Sequence, residues 1–124
     1  MTASRPAALI VEDHPFIGMV ASDILQESGF STYHAYDANG AVQMLDEHPE
    51  IEVMVAEANL EGEVNGLELC RRVAAQRPHV HLVLTAAGPD PSLADVPAGA
   101  RLLHKPYASG ELRAVAAKSA LADA

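Results

Sequence analysis

The chain has 124 residues with 17 acidic and 8 basic side chains, a net charge of −9, 49% hydrophobic residues and one cysteine. That length fits a single domain over 1–124, able to bury roughly two-thirds of its unfolded surface. The acidic balance disfavours direct contact with nucleic acid or an anionic membrane, since both need basic patches. The lone Cys70 excludes an intramolecular disulfide and suits a reducing cytoplasm.

The opening "MTASRPAALIVEDH" lacks the apolar core of a signal peptide, and no apolar run approaches the ~18 residues of a membrane span. The chain reads as a soluble, cytoplasmic protein. It ends soon after its last predicted helix, which leaves no room for a separate output domain.

In chain order, "AALIV" (7–11) predicts a first strand, and Phe16, Val20 and Ile24, four residues apart, mark a helix face after it. "STYHAY" (31–36) alternates weakly and predicts a strand at the sheet edge. Asp37 then caps a helix carrying Ala41, Val42 and Leu45. "VMVA" (53–56) predicts the third strand. "NGLE" (65–68) has the form of a capping box, with Asn65 as cap and Glu68 three residues on, opening a helix that buries Leu67, Cys70 and Ala74. Cys70 reads as a packed core residue. "VHLVL" (80–84) and "RLLH" (101–104) predict two more strands, and Ser109 caps a last helix with Leu112, Val115 and Ala116 inward. The strands are mostly continuous apolar runs, as in a parallel sheet covered on both faces. Five strand–helix alternations predict a doubly wound α/β fold, in which sites form beyond the carboxyl ends of the strands.

At those ends stand Glu12 and Asp13, then Glu57, Thr85 and Lys105. Neighbouring carboxylates can make a hard oxygen site for Mg²⁺, while a lysine and a threonine can face a phosphoryl oxygen. Each residue also has a plainer role: Asp13 as a helix cap, Glu12 beside the helix's positive end, Thr85 in a turn, Lys105 in solvent. Their recurrence at four strand ends favours a common site. His79 and His81 are spaced to share a strand face, but at its amino end, away from this rim. His14 and His104 flank the rim and read as surface residues.

"LIVEDH", the strand ending at Glu57, "VLTA" and "LLHKPY" together resemble the receiver domain of bacterial two-component response regulators, over residues 7 to about 120. The resemblance implies a five-stranded parallel sheet in order 2-1-3-4-5, with helices on both faces. It implies Mg²⁺ held by Glu12, Asp13, Glu57 and the backbone carbonyl of Asn59. It implies Thr85 and Lys105 at the phosphoryl group, a cis peptide bond before Pro106, and Ala86 as the small residue beside the site.

Several positions depart from the family pattern. The acceptor is an aspartate in the family but Glu57 here, one methylene longer, and in-line transfer loses ~10²-fold for a 1 Å misplacement. The longer arm brings the carboxylate toward Lys105 and Thr85, so a direct Glu57–Lys105 ion pair is expected. Whether that pair mimics the active state or leaves the site inert stays open. Leu102 stands where many receivers carry a switching aromatic. "GPDPSLADVPAG" (88–99), with three prolines, leaves a turn or two for the fourth helix, part of the family's dimer and partner face. Glu61 replaces a common proline in an acidic loop.

The expected function is that of a stand-alone receiver in phosphorelay signalling, not an enzyme. Its partners are a sensor histidine kinase, a phosphotransfer protein or another signalling protein, with self-association as a further contact. The alternatives are a relocated acceptor such as Asp13 and a flavodoxin-like ligand binder. The second needs a glycine-rich phosphate loop where this chain has the acidic "EDHPF".

Overall fold

The computed structural model describes residues 5–87 and 95–122, with side chains through 116. Five strands, β1 (Ala7–Val11), β2 (Ser31–Ala35), β3 (Ile51–Glu57), β4 (His81–Ala86) and β5 (Arg101–His104), form one parallel sheet in order β2-β1-β3-β4-β5. Four helices lie among them: α1 (Pro15–Glu27), α2 (Ala38–Glu47), α3 (Gly66–Gln76) and α4 (Ser109–Ala122). Continuous apolar strands are explained by two cores, one on each side of the sheet. Leu9, Val11, Met54 and Leu84 pack with Leu45 of α2 and Leu69 and Val73 of α3. Ile10, Val53, Val55 and Val83 pack with Leu25 of α1 and Leu112 of α4. Alternate side chains of one strand therefore enter opposite cores.

The helix starts follow local hydrogen bonding. Asp37 Oδ1 accepts from Gly40 N–H at 2.7 Å and caps α2, as expected. Asn65 Oδ1 accepts from Glu68 N–H at 2.9 Å and caps α3, but the Glu68 carboxylate turns to Arg71 and Arg72. The cap of α1 is His14, not Asp13: its Nδ1 accepts from Ile17 N–H and Pro15 follows. Ser109 is likewise inside its helix. Ala108 supplies the first carbonyl of α4, and its own N–H donates to Glu111 Oε1 at 3.1 Å.

Helix faces also shift from the expected stripes. The large residues Phe16 and Val20 of α1 are exposed, at 63% and 41%, while Gly18, Ala21 and Leu25 are buried. Small side chains let the helix approach the sheet, and the ring of His34 lies where a Gly18 side chain would be. Val42 is exposed beside buried Ala41 and Leu45. In α3 the buried face is Gly66, Leu69, Cys70 and Val73, with Leu67 and Ala74 only partly covered. Val115 is partly covered beside buried Leu112 and Ala116. β4 runs on through Thr85 and Ala86 because both keep their pairing with neighbouring strands. His79 precedes β4 in a turn, so only His81 of that pair is on the strand. The expected short fourth helix falls largely on 88–94, outside the described residues, and 95–100 forms turns and bends.

Candidate functional site

The sheet register brings the strand ends together. Val11 pairs with Ala56 and Glu57 with Thr85, so Glu12, Glu57 and Thr85 emerge side by side. Ala86 pairs with His104, and Lys105 follows immediately, its N–H donating to the Ala86 carbonyl. Glu12, Glu57 and Thr85 are buried at 5%, 6% and 4% exposure, the only polar or charged residues in the buried set of described residues. The Lys105–Pro106 peptide is cis.

The centre of the rim is an ion triad. Lys105 Nζ donates to Glu12 Oε1 and to Glu57 Oε2. The remaining carboxylate oxygens bind backbone: Glu12 Oε2 accepts from His14 N–H at 3.2 Å and Glu57 Oε1 from Asn59 N–H at 3.1 Å. Burial alone pulls the Lys105 ammonium down. Its hydrogen bonds to Glu12 and Glu57 and their charges outweigh that and hold it above its ordinary value. The triad carries two negative charges and one positive in a nearly dry setting, so losing one partner costs far more than an exposed pair would.

The other expected site residues are placed differently. Asp13 is half-buried and its Oδ2 accepts from Glu61 N–H at 3.1 Å, which ties the β3–α3 loop to the rim. Thr85 turns its hydroxyl toward the Ala56 carbonyl at 3.5 Å. Asn59 is exposed. Ala86 is buried beside the site, as expected for a small residue. Among the described residues, no three or more His, Cys, Asp or Glu side chains are gathered as a metal site. Thus the donor set implied for Mg²⁺ does not form a divalent-ion cradle in this arrangement. Its two buried carboxylates close on an ammonium instead.

Two supporting residues escaped the sequence reading. The first is His34, whose Nε2 lies 3.1 Å from the Glu12 carbonyl while its ring covers Gly18; no spacing rule points to it. The second is Gly66, where a Cβ would stand 1.7 Å from the Glu57 carbonyl oxygen. The signal for Gly66 was present, as the glycine directly after the Asn65 cap.

A buried acid–lysine rim at the carboxyl ends of a 2-1-3-4-5 parallel sheet defines a receiver-type signalling domain. The profile of the response regulator receiver domain matches residues 8–117, and the chain belongs to that family. Receiver domains act in two-component signalling by contact with kinases or other signalling proteins. Among curated proteins, the chain is 24% identical over 78 residues to the transcriptional regulatory protein ComA of Bacillus subtilis (strain 168), covering 61% of this chain and 36% of that protein. It therefore spans about a third of that relative's length.

Among solved structures, it is similar to the signal receiver domain of an HD domain-containing protein from Pseudomonas fluorescens Pf-5. The TM-score is 0.88 at 24% identity, over 97% of this chain and 98% of that one. The receiver domain of NtrX from Brucella abortus gives 0.83 at 23%, over 90% and 96%. These likenesses establish the fold.

Proposed function

We propose that this receiver signals through protein–protein contacts without phosphorylation of its acceptor position, with the Glu57–Lys105–Glu12 triad as the permanently set state of the site. The observation that carries the reading is the double engagement of Lys105 Nζ by Glu12 and Glu57. An arm one methylene longer delivers the Glu57 carboxylate to the ammonium that would otherwise meet a phosphoryl oxygen. It brings one negative charge there, against ~1.5–2 for a phosphoryl group. The Glu57 carboxylate is also nearly closed to solvent at 6% exposure, which hinders in-line approach of a phosphodonor.

The domain has no turnover of its own in this reading; its output is binding. The partner is a histidine kinase, a phosphotransfer protein or another signalling protein in the cytoplasm. Exposed Phe16, Met19 and Val20 on α1 support a protein partner, beside an open groove of about 540 Å³ that reaches Lys105 and Tyr107. The net charge of −9 speaks against nucleic acid or an anionic membrane, and no described helix is long and apolar enough to cross a membrane.

Intact-mass measurement after incubation with Mg²⁺ and acetyl phosphate tests the reading on wild type and Glu57→Asp in parallel. The expected result is a phosphoryl increment on the variant only, because the shorter arm withdraws from Lys105. An increment on wild type would show that another residue, such as Asp13, accepts the group and would overturn the reading. An unmodified variant would show that the site has lost more than its acceptor.

A further inference from the structure

We infer that the Lys105 ammonium is the resident cation of this acidic rim, so that the chain keeps its set state without a divalent ion. Removing that ammonium would then unmask a divalent-cation site made of Glu12, Asp13 and Glu57. The inference rests on the proposed reading of Glu57 and adds that the site is independent of metal as well as of phosphate.

The argument is one of donor occupancy. Both oxygens of Glu12 and both of Glu57 are engaged, one of each pair by Lys105 Nζ and the other by a backbone N–H. One oxygen of Asp13 accepts from Glu61 N–H. Mg²⁺ demands near-octahedral oxygen ligands at ~2.0–2.1 Å and gives up its waters reluctantly. To enter here it would have to draw Glu12 and Glu57 off a buried lysine and then sit beside that lysine's positive charge.

The ammonium satisfies the same carboxylates with no dehydration of an outside ion and no loss of translational freedom, since it is tethered to β5 by the chain. The extra methylene of Glu57 is what lets its carboxylate reach Nζ while Oε1 still accepts from Asn59 N–H at 3.1 Å. Without the ammonium, two buried carboxylates and the neighbouring Asp13 would be left facing one another. That concentration of negative oxygen is relieved most simply by a hard divalent cation.

The test is a Mg²⁺ titration of the full chain by calorimetry, with the thermal midpoint followed in parallel, on wild type, Glu57→Gln and Lys105→Met. Wild type is expected to show no saturable binding up to about 10 mM that Glu57→Gln removes, and no rise in midpoint. Lys105→Met is expected to bind Mg²⁺ in the millimolar range or tighter and to rise in midpoint with it. Should Lys105→Met fail to fold, Lys105→Met combined with Glu12→Gln, with one buried charge fewer, carries the same expectation.

Saturable wild-type binding abolished by Glu57→Gln would overturn the inference, and so would a folded lysine variant that ignores Mg²⁺. Wild type that binds Mg²⁺ yet gains no phosphoryl group would sink this inference alone. Wild type that gains the phosphoryl group would sink the reading of Glu57 itself.

Discussion

A methyl group on Gly66 would stand 1.7 Å from the carbonyl oxygen of Glu57 and 3.0 Å from Cα of Ala58. Both obstacles are backbone, so no side chain can swing aside. The close approach exists because Gly66 N–H donates to the Ala58 carbonyl at 3.1 Å, pinning the start of α3 onto the end of β3. Gly66→Ala must push α3 off the strand end that carries Glu57, at a cost of about 2–3 kcal/mol. A urea melt reads that cost. Gly110→Ala is the control: nothing lies within 4 Å of its Cβ, and it is expected to stabilise by ~0.4–1 kcal/mol. The same scale shows what the sequence could say about the site. Glu12, Glu57 and Lys105 were legible because each follows an apolar run, and parallel strands bring such positions together. The inward turn of Thr85 to the Ala56 carbonyl and the use of Asp13 to hold Glu61 were not. They depend on loop paths and rotamers that no spacing encodes.

Elements were legible to the extent that side-chain size signalled burial. The strands are runs of Val, Leu, Ile and Ala enclosed on both faces, so their existence and order followed from composition and alternation. The helices were harder because their buried stripes are built partly from small residues. On α1 the sheet is met by Gly18 and Ala21 with Leu25, while the conspicuous Phe16 and Val20 face solvent. A reading weighted toward large side chains turns that helix the wrong way.

The start of α4 failed for a related reason, since Ser109 carries a capping residue's signature and Ala108 does not. The geometry decides otherwise. Glu111 reaches back to the Ala108 N–H, and the first helical carbonyl belongs to Ala108. A hydroxyl at residue 108 would meet a donor that the alanine leaves without a side-chain acceptor. Ala108→Ser is therefore expected to stabilise by ~0.5–1 kcal/mol, whereas Ser109→Ala stays within ~0.5 kcal/mol of wild type. Thermal midpoints of the two variants check this. A large loss from Ser109→Ala would restore Ser109 as the cap.

Across the whole molecule, protons are held more tightly at high pH in the folded state than in the unfolded one. Burial in the core under α3 pushes the Cys70 thiol from 9.0 up to about 12. On the other side of the sheet, burial raises the Tyr107 hydroxyl, with the nearby Lys105 charge opposing. At the rim Lys105 is also raised, the pull of Glu12 and Glu57 exceeding the cost of burial. All three shifts act in one direction. A group raised on folding contributes stability that is whole below its unfolded pKa and is lost as pH climbs through its folded one. For Cys70 the loss begins near pH 9 and is complete near 12, amounting to up to ~4 kcal/mol at ~1.36 kcal/mol per unit. Lys105 adds to the decline only above its unfolded value of 10.5.

The net charge of −9 at neutrality steepens the same limb, because each further deprotonation enlarges an existing self-repulsion. Stability measured by denaturant between pH 7 and 11 should therefore fall steadily above about pH 9. Cys70→Ala removes the thiol's share. It is expected to begin ~1–2 kcal/mol lower at pH 7 from the small cavity it leaves, and to lose less on the way to pH 11. Parallel curves for wild type and Cys70→Ala would show that the thiolate of the unfolded chain has no part in the alkaline limb.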